Sequence, residues 1–180
     1  MNIFEQIDTN MYKTLFRTIT PTNTYIMIGI SLFGSASVLI GITIILWLLC
    51  KNKKIPKYVT LNLVSVFILN RLIKIIVRRP RPEVVTLIRE SGYSFPSAHS
   101  MISFAFYGFI IYLILKKSKL KKLKVLNSIL LTLLILFIGI SRVYLGVHYA
   151  TDVLGGFLIA LAYLIVFIKF IYEKRNKNEL

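Results

Sequence analysis

Between Tyr25 and Cys50 the sequence carries no charged side chain, and a helix of that length crosses the roughly 30 Å hydrocarbon core of a bilayer. A water-soluble domain has no interior deep enough to bury such a run. Four more apolar stretches follow, at about 58–77, 97–115, 125–141 and 153–172. Hydrophobic residues make up 56% of the 180 and charged ones 17%, with a mean hydropathy of +0.72, so the chain as a whole is built for lipid. Lipid leaves no backbone group unpaired, and these runs are too long and too unalternating for barrel strands. The expected fold class is therefore all-α: a polytopic transmembrane helix bundle of about five spans, forming one domain over residues 1–180.

A net charge of +16 invites a nucleic-acid reading, but that would need basic residues on one face interleaved with exposed aromatics. The cations cluster instead between apolar runs. Lys51, Lys53, Lys54 and Lys57 follow the first span, while Lys116, Lys117, Lys119, Lys121, Lys122 and Lys124 separate the third from the fourth. Lys174, Arg175 and Lys177 follow the fifth. In a five-span chain these segments share one side, which the positive-inside rule makes cytoplasmic, and the N-terminus then faces out. Membrane lipids are expected partners and nucleic acid is not. The lone cysteine, Cys50, excludes an intrachain disulfide and a multi-thiolate metal site. The N-terminus shows no cleavable signal pattern. Phe4, Ile7, Met11, Leu15 and Ile19 recur at three- and four-residue steps, which predicts an amphipathic helix over 1–20, lying in the interface and ended by Pro21. Gly34, Ser37 and Gly41 share a face of the first span where another helix can approach.

Both histidines, His99 and His148, fall at the outer ends of spans, among Lys74, Arg78, Arg79, Arg81, Ser97, Arg142 and Asp152. Charge near membrane depth is costly, so such a cluster marks a functional site. The spacing is specific. Lys74 is followed seven residues later by Arg81-Pro82; then comes Phe95-Pro96-Ser97-Ala98-His99-Ser100; then Ser141-Arg142, five residues, His148, three residues, Asp152. These three blocks, in this order, resemble the motifs of the type 2 phosphatidic acid phosphatase superfamily, integral membrane lipid phosphatases related in site architecture to glucose-6-phosphatase and vanadium haloperoxidases. The resemblance covers residues 25–172, and the run from Gly92 to Ser97 is most similar to the bacterial phosphatidylglycerophosphatase B and undecaprenyl-diphosphatase members. Ala98 stands where the family commonly has glycine, and only the amphipathic segment stands where its six-helix core has a further span.

The resemblance implies hydrolysis of a lipid phosphate or diphosphate, phosphatidylglycerophosphate or undecaprenyl diphosphate, at the outer leaflet. It implies a phosphohistidine intermediate and no cofactor. Phosphoryl transfer is catalysed mainly by positioning and by neutralising the equatorial oxygens. Arg81 and Arg142 suit bidentate contacts to those oxygens, and Lys74 suits a point charge. Positions 74, 78 and 81 share a helical face, though Pro80 and Pro82 must end that helix. Pro96-Ser97 reads as a helix start whose free N–H groups, Ala98's included, and Ser97 hydroxyl would receive an anion; a plain capping role for Ser97 is compatible. His148 and Asp152 are four apart, so the carboxylate can hold one ring nitrogen and leave the other to attack phosphorus. His99 is left as general acid, and as base for the water of the second step. Asp152 is the one acid in or beside the apolar spans, which disfavours a Mg²⁺ site. Residues 83–92, with Val84, Val85, Leu87 and Ile88, read either as a short interfacial lid helix or as a connector. Arg71 and Arg78 match no motif and read equally as interfacial anchors. A lipid phosphotransferase and a non-catalytic binder of anionic lipids share the same pattern, and oligomeric state is not legible.

Overall fold

The protein is described by a computed structural model over residues 3–117 and 120–174; Lys119, Arg175 and Lys177 of the basic clusters lie outside the described residues. The helices are α1 (Ile3–Phe16), α2 (Pro21–Leu32), α3 (Ala36–Leu49), α4 (Lys54–Val77), α5 (Ala98–Lys117), α6 (Lys121–Tyr144) and α7 (Ala150–Val166), the last running on as a π-helical stretch, Phe167–Glu173. Among the described residues there is no strand. Among the described residues four helices, α4 to α7 with its extension, are long and apolar enough to cross a membrane singly, and α2 with α3, bent by 46° at their junction, passes the same test only as a pair. This is a multi-pass membrane protein.

The bend departs from the straight first span that the uncharged run predicts. Ser35 breaks the helix by turning extended and accepting from the Val38 N–H to cap α3, while the Tyr107 hydroxyl donates to the Phe33 carbonyl that the break exposes. Gly34 sits in the break, and a Cβ there would lie 2.7 Å from Ile138 and 3.3 Å from His99. The close approach expected along Gly34, Ser37 and Gly41 is confined to Gly34: Ser37 is exposed and Gly41 faces open space.

The first helix also differs from its expected form. It stops at Phe16, and Pro21 opens α2 rather than closing α1, because proline's fixed φ suits the first helical position and Thr20 caps it by accepting from the Asn23 N–H. Its apolar stripe divides. Ile7, Leu15 and nearby Ile19 pack on the bundle, while Phe4 and Met11 stay exposed, and Asp8 is buried.

Helix α5 is the axis of the bundle, burying Met101, Ala105, Phe106 and Phe109 against its neighbours. On α4 a four-residue register, Tyr58, Asn62, Val66, Asn70 and Lys74, faces inward, and Leu72, Ile75 and Ile76 face out, as a lipid-solvated helix requires. The register carries Lys74 to the end of the bundle where α5 and α7 begin. At the opposite end Tyr58 and Phe109 meet Tyr172 edge to face, and Lys116 pairs with Glu173 at 2.8 Å.

Residues 78–97 form no helix, so the lid-helix reading of 83–92 is not met. Prolines 80 and 82 remove donors, and the Leu87 N–H is taken by the Leu145 carbonyl at 3.0 Å. Leu87 and Ile88 pack on Tyr144, Leu145 and Val147, which fixes the segment across the bundle end. Gly146 permits that seam: its φ is +73°, and a Cβ there would meet the Val85 carbonyl oxygen at 2.4 Å.

Candidate active site

All three sequence blocks converge at this end. The C-terminus of α4 brings Lys74, the irregular segment brings Arg81, the first turn of α5 brings Ala98 and His99, and the turn before α7 brings His148. These five side chains line one cavity of about 390 Å³, with Asn70, Glu90 and Tyr93 among its other walls. The volume falls in the range of small-molecule sites, roughly 300–1,000 Å³.

His148 is held between two unlike neighbours. Its Nδ1 lies 3.4 Å from Asp152 Oδ2, and its Nε2 lies 3.4 Å from Arg81 Nη1. A guanidinium has no acceptor, so Nε2 presents its lone pair and the ring proton sits on Nδ1, toward the carboxylate. His148 belongs to the turn, where burial, outweighing the Asp152 hydrogen bond, lowers its pKa to about 4 with help from the charges of Arg142 and Arg81. The ring is neutral at ordinary pH. Asp152 is fully buried and its oxygens are occupied: Oδ1 accepts from Arg79 Nη1 at 2.7 Å, and Oδ2 accepts from the Tyr149 N–H at 2.9 Å.

Arg81 is clamped by backbone. Its Nε, Nη1 and Nη2 donate to the carbonyls of Gly92, Val147 and Ser91 at 3.0, 2.8 and 2.8 Å, and the donors left over face His148 and Glu90. Lys74 Nζ donates to the carbonyls of Tyr93 and Ser94. Ala98 opens α5, so its N–H is among those that no helical carbonyl accepts. Gly34 packs against the His99 ring.

Two expected anion ligands stand back from the cavity wall. Ser97 is wholly buried and its Oγ accepts from the Ser100 N–H and hydroxyl, which makes it the cap of α5. Arg142, also buried, donates to the Ser31 hydroxyl and to Glu90 Oε1, both at 2.5 Å. Glu90 thereby bridges Arg142 and, at 3.7 Å, Arg81. Burial pushes its carboxyl up, but the charge and hydrogen bond of Arg142, with His99 and Arg81, more than offset this and hold it below the usual carboxylate range.

Two residues of this network, Glu90 and Asp8, were not legible as site members, and a third, Arg79, was legible only as one of the outer cationic cluster. Glu90 lies in a stretch without periodicity. Arg79 is hidden in the run Arg78-Arg79-Pro80-Arg81, where the motif claims only its last arginine; it donates to both Asp152 and Asp8. Asp8 had a signal: it interrupts the apolar face of α1 one turn after Phe4. Two acids from outside the apolar spans, Asp8 of α1 and Glu90 of the connecting segment, thus join Asp152 at the site. Arg71 and Ile75 reach the cavity rim, whereas Arg78 turns its Nε back to the Ile75 carbonyl in a left-handed cap of α4.

Fold and site together define a polytopic membrane protein with a buried histidine–carboxylate pair at a cavity walled by Lys74, Arg81 and His99. A family model described as the PAP2 superfamily matches residues 55–176, and the chain belongs to that superfamily. It is similar to phosphatidylglycerophosphatase B of Bacillus subtilis (strain 168), 44% identical over 95 residues, 52% of this chain and 47% of that protein, so the match spans about half of the relative's length. It is similar at 24% identity to undecaprenyl-diphosphatase of Sulfolobus acidocaldarius, over 88% of this chain and 72% of that one. The crystal structure of a transmembrane PAP2 type phosphatidylglycerolphosphate phosphatase from Bacillus subtilis superposes with a TM-score of 0.85 at 32% identity, covering 94% of this chain and 87% of that chain. The family and fold expected from the three motifs are those found.

Proposed function

We propose that the protein is a membrane lipid phosphatase that hydrolyses the terminal phosphate of phosphatidylglycerophosphate by a metal-independent double displacement, with its site on the extracytoplasmic face. The observation that carries this reading is the orientation of His148: Nδ1 toward Asp152, Nε2 toward a cavity walled by Lys74, Arg81 and His99. The similarity to a phosphatidylglycerophosphatase supports the substrate.

In this mechanism Arg81, Lys74 and the Ala98 N–H receive the phosphoryl oxygens, and Arg142 adds charge behind them. The Nε2 lone pair attacks phosphorus while the bond to the ester oxygen breaks, and His99 gives that oxygen its proton. Asp152 accepts the Nδ1–H and stabilises the positive charge that grows on the ring. Water then attacks the phosphohistidine, passing a proton to His99 as the phosphorus–nitrogen bond breaks, and inorganic phosphate leaves.

The test is a lipid panel assayed with purified protein in EDTA, following free phosphate. Phosphatidylglycerophosphate is expected to turn over fastest, with orthovanadate inhibiting, since vanadate takes the five-coordinate shape of in-line transfer. Preference for undecaprenyl diphosphate would overturn the substrate. Labelled lipid in place of free phosphate would identify a transferase, and activity lost in EDTA and restored by Mg²⁺ would overturn the metal-free route.

A further inference from the structure

We propose that Asp8 of the N-terminal helix is a positioning residue for the His148–Asp152 pair, acting through Arg79; the inference rests on the phosphohistidine reading above. The juxtaposition is dense. Arg79 lies between two carboxylates, its Nη1 donating to Asp152 Oδ1 at 2.7 Å and its Nη2 to Asp8 Oδ2 at 2.9 Å. Its guanidinium carbon stands 4.0 Å above the centre of the Tyr149 ring, which fixes the plane of the fork. Asp8 in turn accepts from the Thr151 N–H and the Thr151 hydroxyl, each at 2.8 Å. A carboxylate from one helix thus caps the first turn of α7, the turn that carries Asp152, and complements its dipole.

The apolar stripe of α1 alone would seat the helix on the bundle. Burying an acid in that stripe is costly unless it is paired, so the acid has a role beyond adhesion. Charge accounting supplies it. With Asp8 present, the single positive charge of Arg79 is shared by two carboxylates, and Asp152 keeps enough negative charge to face a His148 ring that becomes cationic when Nε2 is phosphorylated. Without Asp8, Arg79 neutralises Asp152 alone, and the cationic intermediate loses its counter-charge. Asp8 therefore controls the chemical step rather than substrate binding.

The experiment is a double-mutant cycle on the full-length protein: Asp8→Asn, Arg79→Gln and the pair together. In metal sites, losing the group that orients a ligating histidine typically costs roughly 10–100-fold, and Asp8, which acts through Arg79 and Asp152, is set at the lower end of that range. Asp8→Asn is expected to lower kcat about tenfold with KM changed less than about twofold, and adding Arg79→Gln is expected to restore part of that loss, because Asp152 regains its charge. A merely structural Asp8 predicts a double variant no better than Asp8→Asn. A second readout needs no turnover: nitrogen-15 histidine spectra of the detergent-solubilised protein. The His148 ring is also faced by Tyr12 and Lys13 of α1, Lys74 of α4, Arg81 and Glu90 of the connecting segment, His99 of α5, Arg142 of α6 and the adjacent Tyr149, all unchanged across the cycle. Arg79→Gln should raise the His148 titration midpoint and Asp8→Asn should lower it. Wild-type kcat retained by Asp8→Asn, no recovery in the double variant, or a midpoint indifferent to both changes would overturn the proposal. A wild-type protein inactive on every lipid phosphate, yet showing those midpoint shifts, would overturn the phosphatase reading and leave the coupling standing.

Discussion

His148 can serve as a nucleophile only if its two nitrogens differ, and the difference comes from neighbours of opposite sign. The i,i+4 spacing to Asp152 was legible because it is a matter of helical geometry; the Arg81 contact that sets Nε2 as the unprotonated nitrogen was not, since it depends on how residues 78–97 cross the bundle end. Two predictions belong at this scale. His148→Ala should abolish turnover of every substrate, whereas His99→Ala should cost roughly 10²–10⁴-fold on a lipid phosphate and far less, in the first step, on p-nitrophenyl phosphate, whose leaving group needs no proton. Stopped-flow measurement of the nitrophenol burst separates the steps, and equal losses for both leaving groups would remove His99 as the acid. The second concerns pH. With the His148 pKa lowered to about 4 the attacking lone pair is present above that value and lost below it, so the enzyme's acid limb in kcat/KM should lie near 4. An acid limb near the ordinary histidine value of about 6.5, once substrate ionisation is divided out, would contradict the burial argument.

Among the elements, the four unbroken spans read directly from hydropathy, because lipid imposes the same demand on every residue of a crossing helix. Segments outside lipid answer to local contacts, and there expectation and structure part. Pro21, a stop by periodicity, starts α2; residues 83–92, whose apolar residues fit a helix or a connector, form a strap whose Glu90 bridges Arg142 and Arg81. In the proposed mechanism a carboxylate seated between Arg142 and Arg81, the cation assigned to the phosphoryl oxygens, competes with phosphate. Glu90→Gln is therefore expected to tighten vanadate inhibition about tenfold, a shift worth about 1.4 kcal/mol. The same change leaves buried Arg142 short of a partner, so the variant's melting temperature without ligand should fall and the added stabilisation by vanadate should grow. Vanadate binding equal to wild type would show that Glu90 does not occupy the anion's place.

Across the whole molecule the two ends differ in kind. One gathers the motif residues and α1; the other carries the lysine-rich connections and is closed by Tyr58, Tyr112 and Tyr172. Cation clustering was legible from the sequence, and the positive-inside rule predicts from it that the lysine-rich end faces the cytoplasm. In a Cys50→Ala background, a cysteine at Thr86 should react with a membrane-impermeant thiol reagent in intact cells and one at Asn52 should not; the opposite pattern would place the site in the cytoplasm. What hydropathy does not register is the 46° bend between α2 and α3. A straight helix meets a thinner bilayer by tilting as a whole, but two rods joined at an angle change height by folding or unfolding at the joint. That joint is Gly34, seated against His99. A hinge at that joint predicts that turnover in vesicles of graded acyl length varies more for this protein than for a Gly34→Ala variant whose joint is wedged against Ile138; equal variation would show that the bend is fixed.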